Sequence, residues 1–350
     1  MAAEKPLIVI LGLGEMGLIH ARNLSKERRV LLGLASKRKE VLDKTAAELA
    51  ADRTYSSFDA VFQDSQVKGV VIATPPPSHP HVIKQAAEAG KHIFSEKPLG
   101  YDSASIRDAL DAVEKSSVRF TVGFNRRWDP DYIAARRAVE AATLGDPVVL
   151  KCTSGDPEYP EKYHRGAAKH AMLKDLAVHD IDLARWLTRS EVKRVYAICD
   201  AISYPSLKEN QDADVTVAIL EMACGAKVIL HLSRAFHFGY DVTTELFCKK
   251  GAMQIGQLHD NAVVTVKDRT SALKVVWDFG ERFRVSFTRE MEGFAALVLA
   301  ETAEDAAALV AGDSSYASGE DGLAATVVAE ALVKSYLSGM PEVVAERGTE

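Results

Sequence analysis

Residues 7–17 read LIVILGLGEMG. Leu7–Leu11 is apolar without a break, the pattern of a strand buried on both faces. Gly12-Leu13-Gly14-Glu15-Met16-Gly17 then fits GxGxxG, and the helical periodicity of Met16–Leu24 follows at once. A glycine turn in that setting is built for the pyrophosphate of a dinucleotide. The first glycine makes the turn, the second admits the phosphates to the backbone, and the third lets helix and strand pack closely. The helix N-terminus then faces the phosphates. A tight turn without a ligand is the competing reading, but the strand before and the helix after favour the nucleotide. Gly12, Gly14, Glu15 and Met16 are the candidate contacts here.

Working outward, short apolar runs continue to alternate with helical periods. Strands are expected at Val30–Ala35, Val67–Ala73, His92–Phe94 and Arg119–Val122, and helices at Glu40–Ala51, His81–Ala89 and Ser103–Lys115. That alternation predicts an α/β domain, a doubly wound parallel sheet of the Rossmann type, over residues 1–123. The rhythm changes after Gly123. A helix is expected from Asp131 to Thr143, a strand at Val148–Thr153 and a helix at Leu173–Leu187. Runs at 192–199, 214–222, 226–234, 242–248, 252–256 and 262–267 then read as strands joined by tight turns. Residues 124–350 are therefore expected to form an α+β domain with a large, mostly antiparallel open sheet. Its closing helices, Met291–Leu309 and Leu323–Leu337, are free to pack back on the first domain.

The end of the second strand distinguishes the nucleotides. A domain preferring NAD usually places an acid there, accepting from the ribose hydroxyls. This chain reads Ala35-Ser36-Lys37-Arg38-Lys39, and the nearest acid, Glu40, already belongs to the next helix. A hydroxyl beside three cations suits a 2′-phosphate, so NADP(H) is expected over NAD(H), with Ser36, Lys37 and Arg38 as contacts. A solvated basic helix start is the alternative, although cations are slightly unfavourable in a first turn.

Two further loops leave strand ends. Thr74-Pro75-Pro76-Pro77-Ser78-His79 is stiffened by three prolines and forms a wall beside the cofactor or a rigid crossover; Thr74, Pro75 and His79 are its candidate contacts. Ser95-Glu96-Lys97-Pro98-Leu99-Gly100 puts Glu96 and Lys97 where a nicotinamide should lie, and a half-buried lysine there can polarise a hydroxyl or carbonyl. In Lys174–Leu187, KDLAVHDIDLARWL, helical spacing sets Asp175, His179 and Asp182 on one face. A histidine one turn from a carboxylate reads as a general base with its orienting partner. A surface ion pair and a metal site compete with that reading; no HxxE or second nearby histidine completes a metal set, and none is expected.

Composition excludes other classes. The 350 residues are 47% hydrophobic and 26% charged, which rules out disorder and fibrous repeats. Acidic and basic residues, 49 and 43, are interspersed to a formal net charge of −6, so neither a nucleic-acid partner nor a charged tail is expected. Cys152, Cys199, Cys224 and Cys248 lie far apart with no CxxC pair. No apolar stretch approaches the ~20 residues of a membrane span. A reduced, cytoplasmic protein with a small-molecule substrate is expected.

Together, GLGEMG (12–17), ATPPPSH (73–79), SEKPLG (95–100), GFNRRWDP (123–130) and DLAVHDIDLARW (175–186) resemble the glucose-fructose oxidoreductase/inositol dehydrogenase (Gfo/Idh/MocA) family. FGYDVTTELFCKKG (238–251) and EDGLAATVVAEALVKSYLSG (320–339) extend the likeness over essentially the whole chain. The Asp-xxx-His helix and GFNRRWDP are most similar to its inositol and other polyol or sugar dehydrogenases. That resemblance implies a catalytic set of Lys97, Asp175 and His179, a cis Lys97–Pro98 peptide, and a substrate pocket lined by Asn125, Arg127 and Tyr240. It implies reversible oxidation of a secondary alcohol and a homodimer or homotetramer built on the open sheet face. Two departures stand out. Many relatives carry Arg-Asp or His-Arg-Asn after the strand at 148–153, a loop that touches substrate; here the loop is Ser154-Gly155-Asp156-Pro157, with Asp156 as the candidate contact. The acid of NAD-dependent inositol dehydrogenases after strand two is missing. Two other readings stay open: a regulator sensing NADPH without turnover, and an enzyme using tightly bound NAD(H) for transient oxidation in elimination or glycoside cleavage.

Overall fold

The structure is a computed structural model in which residues 5–160, 168–256, 259–267 and 270–345 are described. Along the chain it begins β1 (Leu7–Leu11), α1 (Glu15–Leu24), β2 (Leu31–Ala35), α2 (Lys39–Leu49), β3 (Arg53–Tyr55), α3 (Phe58–Gln63) and β4 (Val67–Ile72). It continues α4 (His79–Glu88), β5 (His92–Glu96), α5 (Ser103–Ser116) and β6 (Phe120–Gly123). These six strands form one sheet in the order β3-β2-β1-β4-β5-β6, with every neighbouring pair parallel. That is the doubly wound order whose direction reverses between β1 and β4. β3 and α3 were not anticipated, because three and six residues are too few to show a period.

The chain divides into two compact units, and the described residues up to Trp128 share the first with residues 285–326. The sequence reading ended the first domain at 123 and left the closing helices free to pack back on it; the unit runs to Trp128 and takes in residues 285–326. The next elements to the end of the chain are α6 (Pro130–Glu140), β7 (Pro147–Gly155), α7 (Ala177–Thr188), β8 (Val192–Asp200), β9 (Val215–Met222) and β10 (Lys227–Ser233). There follow β11 (Asp241–Cys248), β12 (Gly251–Ile255), β13 (His259–Lys267), β14 (Thr270–Val275), α8 (Arg284–Leu299), α9 (Ala303–Gly312), α10 (Gly319–Ser338) and β15 (Glu342–Val343). The single run expected over 291–309 is two helices, because Thr302 starts a new one. Its hydroxyl accepts from the Asp305 amide while the Asp305 carboxylate accepts from the Thr302 amide, a reciprocal capping box.

α8 belongs to the first unit for a packing reason. Phe294 is fully buried 5.9 Å from Phe94 of β5, and both share a core with Ile8, Ile10, Leu34 and Val71. Gly69 of β4 lies so close that an added Cβ would stand 2.9 Å from Val298. Arg119 donates to the carbonyls of Leu297 (2.7 Å) and Val298 (3.3 Å), groups that the end of α8 leaves open, and to the Thr302 carbonyl (2.9 Å) beyond it. An apolar sheet face needs a covering layer, and here the layer arrives late in the sequence.

In the second unit the sheet order is β12-β11-β7-β10-β9-β8-β15. Only β7 and β10 run parallel; the other neighbours are antiparallel. α6 starts at Asp129, whose carboxylate accepts from the amides of Asp131 and Tyr132 and from Arg282 Nη1 at 2.8 Å. Tyr132 is fully buried and pairs its hydroxyl with Thr244 Oγ1 of β11. The expected helix at 173–187 is a correction in kind. Residues Met172–Leu176 form a π turn, with the Ala177 amide bonded to the Met172 carbonyl, before α7 begins. Among the described residues no helix is long and apolar enough to cross a membrane. Phe294→Ala should destabilise the first unit by about 3–5 kcal/mol, the range for emptying a large aromatic site in a core; denaturant unfolding would measure it.

Candidate functional site

The glycine loop leaves β1 beside the switch point. Gly12 has φ +96°, and a Cβ there would meet the Ala73 carbonyl oxygen at 2.8 Å. At Gly17 a Cβ would fall 2.0 Å from the Gly12 oxygen. Gly14 differs: nothing lies within 4 Å of the position its Cβ would occupy. It caps α1 with no side-chain hydrogen bond, so the first-turn amides face open space. Exposed Glu15 and half-buried Met16 stand in that turn. Tight backbone at the first and third glycines, with room at the second, is what a pyrophosphate requires, and the loop fits a dinucleotide on geometry.

At the end of β2, Ser36 is buried and its Oγ accepts from the Arg38 amide at 3.1 Å. Arg38 and Lys37 are exposed, and Arg38 Nη2 donates to the Leu13 carbonyl at 2.6 Å, tying the basic segment to the glycine loop. The Thr74 loop contains a 3-10 turn at Pro76–Ser78. Ser78 Oγ donates to Thr74 Oγ1 at 2.8 Å. Buried His79 places Nε2 2.7 Å from the Thr74 carbonyl and Nδ1 2.8 Å from the Pro98 carbonyl, stapling this loop to the next; Pro75 is exposed beside it.

Lys97 follows β5 directly, half-buried, and its peptide to Pro98 is cis. Its amide donates to Glu96 Oε2 at 3.2 Å, while Glu96 Oε1 receives His20 Nε2 at 2.6 Å. Sequence reading missed His20, which looks like any polar residue on α1. After β6, residues Asn125–Trp128 form a buried 3-10 turn. Asn125 Oδ1 has no hydrogen-bond partner among the described residues, an acceptor suited to a ligand's donor. Arg127 is engaged internally: its guanidinium is 3.3 Å from Asp321 and 3.5 Å from the Tyr316 carbonyl.

The second unit holds the other candidates. The π turn at 172–176 carries Asp175, and His179 lies in the first turn of α7, both half-buried. A π turn widens the backbone locally, and such turns recur at functional sites. Asp182 is 2% exposed, more buried than Asp175 and His179. Its neighbour Asp180, fully buried, receives Ser154 Oγ from the end of β7. Asp156 follows β7; its carbonyl accepts from Phe236, and Gly155 lacks the Cβ that the Phe236 ring would exclude at 1.8 Å. Tyr240 is buried ahead of β11, edge-on to Phe283.

Three residues here escaped sequence reading. Buried Arg234 pairs with Asp212 at 2.5 Å and lies 4.2 Å above the Tyr159 ring, while Asp212 also accepts from the Met172 amide at 2.8 Å, anchoring the π turn. Burial pushes the Tyr159 phenol up; Arg234 opposes this, and Asp212, Asp175 and Asp156 add to it. The tyrosine thus samples the field of both candidate carboxylates. Among the described residues no group of three or more His, Cys, Asp or Glu side chains is placed to hold a metal ion.

Comparison with known proteins agrees with this geometry. Residues 7–124 match the family model of an oxidoreductase family with an NAD-binding Rossmann fold, and residues 132–254 match a GFO/IDH/MocA C-terminal domain. An uncharacterized oxidoreductase of Bacillus subtilis is 33% identical over 95% of this chain and 94% of its own. The scyllo-inositol 2-dehydrogenase (NAD(+)) of the same organism is 30% identical over 83% of this chain and 85% of its own. The crystal structure of scyllo-inositol dehydrogenase from Lactobacillus casei, with bound NAD(H) and scyllo-inositol, superposes with a TM-score of 0.88 at 28% identity, covering 98% of this chain and all of that one. Gly14→Val should leave thermal stability within about 1 kcal/mol, since its side chain meets open space, yet weaken nucleotide binding at least about tenfold by calorimetry.

Proposed function

Because this chain belongs to the GFO/IDH/MocA oxidoreductase family, we propose that it moves a hydride between a nicotinamide cofactor and a secondary alcohol or ketone. The substrate class is a cyclic polyol or sugar of the inositol type. Relatives named inositol dehydrogenases support that class, as does the solved relative holding scyllo-inositol. Lys97 carries the reading: it stands at the carboxyl end of β5, one strand beyond the switch point, with its amide anchored to Glu96.

In this proposal Gly12, Gly14, Glu15 and Met16 hold the pyrophosphate, and Thr74, Pro75 and His79 wall the nucleotide. The cofactor, when bound, supplies the hydride chemistry. His179 takes the hydroxyl proton as general base, a role worth typically ~10²–10⁴-fold. Asp175 orients His179 and touches substrate. Lys97 donates a hydrogen bond to the reacting oxygen and stabilises the charge that grows on it. Asn125, Asp156 and Tyr240 recognise substrate hydroxyls, and Arg127, engaged with Asp321, holds the 125–128 turn in place.

The nucleotide preferred is NADP(H). Buried Ser36 and exposed Lys37 and Arg38 end β2 with no carboxylate among them, and Glu40 already lies in α2. A homo-oligomer belongs to the same proposal. On the open face of the second sheet Ile229 stands opposite Ile219, and Ile219 opposite Tyr196; Val217 stands opposite Ile198. Four of these are exposed large apolar residues: Ile198, Val217, Ile219 and Ile229. An apolar ladder of that kind is a surface for a second copy. A cytoplasmic setting completes the proposal, and the four cysteines are free thiols.

Calorimetry with both nucleotides tests the preference: tighter NADP(H) binding, lost in the triple variant of Ser36, Lys37 and Arg38 to alanine, is expected, and tighter NAD(H) binding overturns it. With inositols or pyranoses as substrate, His179→Ala and Lys97→Ala should each lower kcat by about 10²–10⁴-fold, with NADP(H) affinity largely retained. Near-normal turnover in both sinks the assignment. Ile219→Lys should shift the sedimenting species toward monomer; an unchanged species argues against that face.

A further inference from the structure

Glu290 of α8 is a buried acid that apolar packing cannot explain. It is buried to 1%, and neither carboxyl oxygen has a hydrogen-bond partner among the described residues. One turn earlier on the same helix, Ser286 Oγ is also buried and unpartnered. The same helix carries Phe287 and Phe294; His20 stands edge-on to Phe287 at 6.1 Å and to Phe94 at 5.3 Å, and Phe94 lies 5.9 Å from Phe294. The charged group that acts on Glu290 is Glu96 of β5.

The two carboxyls have unequal surroundings. Glu96 has His20 Nε2 2.6 Å from one oxygen and accepts from the Lys97 amide at the other. β6 closes over it, since a Cβ on Gly123 would stand 3.3 Å from the Glu96 carboxyl carbon. Glu290 has no donor aimed at it. A charged carboxylate with no donor in a dry site is strongly disfavoured, so Glu290 keeps its proton.

We propose that Glu290 is a positioning residue for Lys97: it stays a neutral carboxylic acid in the folded protein, and so sets no charge against the Glu96 side chain, which contacts His20 and accepts from the Lys97 amide. The part assigned to Lys97 rests on the dehydrogenase reading above; the protonation of Glu290 does not. Ionising Glu290 would place a negative charge with no donor in that dry site, and the site would have to open to hydrate it, loosening the packing that holds Glu96 against the Lys97 amide. Burial, with Glu96 adding to it, pushes the Glu290 carboxyl well above its usual range. Its contribution to stability is therefore complete below the ordinary carboxylate range and is lost as pH rises through the folded-state value.

Three readouts test this on the intact chain, with Glu290→Gln as the neutral mimic and Glu290→Leu as the second variant should the first fail to fold. Infrared spectroscopy of the wild type near neutral pH should show the C=O stretch of a buried carboxylic acid, missing from both variants. Thermal unfolding of the variants should gain on the wild type by about 2–4 °C or more between mildly acidic and alkaline pH. The alkaline decline of kcat in the wild type should move up by at least about one pH unit, a tenfold change in proton activity, in the variants. No such band in the wild type, or a stability difference that does not change with pH, overturns the proposal without any substrate. Coincident alkaline limbs in all proteins overturn the positioning role. Failure of the dehydrogenase reading shows instead as no turnover by any of them, while the band and the stability slope still decide the state of Glu290.

Discussion

One van der Waals limit governs the first unit: at residue 17 there is room for a hydrogen and nothing larger. The Gly12 carbonyl occupies the place a side chain would take, so α1 can lie directly against the end of β1. That approach forces the left-handed backbone at Gly12, which in turn fits against Ala73 after β4. The helix start, the switch between β1 and β4 and the open space over Gly14 are thus one geometric solution. Arg38 extends it, binding the end of β2 back to Leu13. A phosphate site assembled from backbone needs this rigidity, because amides cannot be re-aimed once a helix has formed.

In the second unit the decisive element is a defect. Five residues of π turn stand before α7, and they carry Asp175. Such a turn leaves backbone groups off the regular ladder and has to be held from outside. Asp212 does so, accepting from the Met172 amide while neutralised by Arg234. On the far side of α7, Ser154 binds Asp180 and fixes the helix to β7. The polar residues of KDLAVHDIDLARWL therefore divide their work. Asp180 and Asp182 are buried, while Asp175 and His179 keep access to solvent.

Much of this was legible in the chain. LIVILGLGEMG specified strand, turn and helix because its constraints are local, and the strand alternation that followed specified a parallel sheet. Lys97 at a strand end could be read for the same reason, whereas the helix expected through Asp175 gives way there to a π turn. Other features depend on partners far along the chain and leave no period to read. Arg127 looked like a pocket residue, yet it meets Asp321, almost two hundred positions later. The Glu290 of TREMEGFAAL has the look of a solvated helix residue, and only packing of α8 against β5 buries it.

That late arrival of α8 has a consequence during synthesis. All six strands of the first sheet have been synthesised once Gly123 is made, but the helix that covers their face follows only with residues 284–299. At ~5–20 residues per second, the interval is on the order of ten to thirty seconds. Throughout it Phe94, Val71 and their neighbours have no permanent lid, while the whole second unit is being made. The nascent chain must therefore hold an unfinished sheet out of contact with others, and chaperone demand should peak there rather than at the termini.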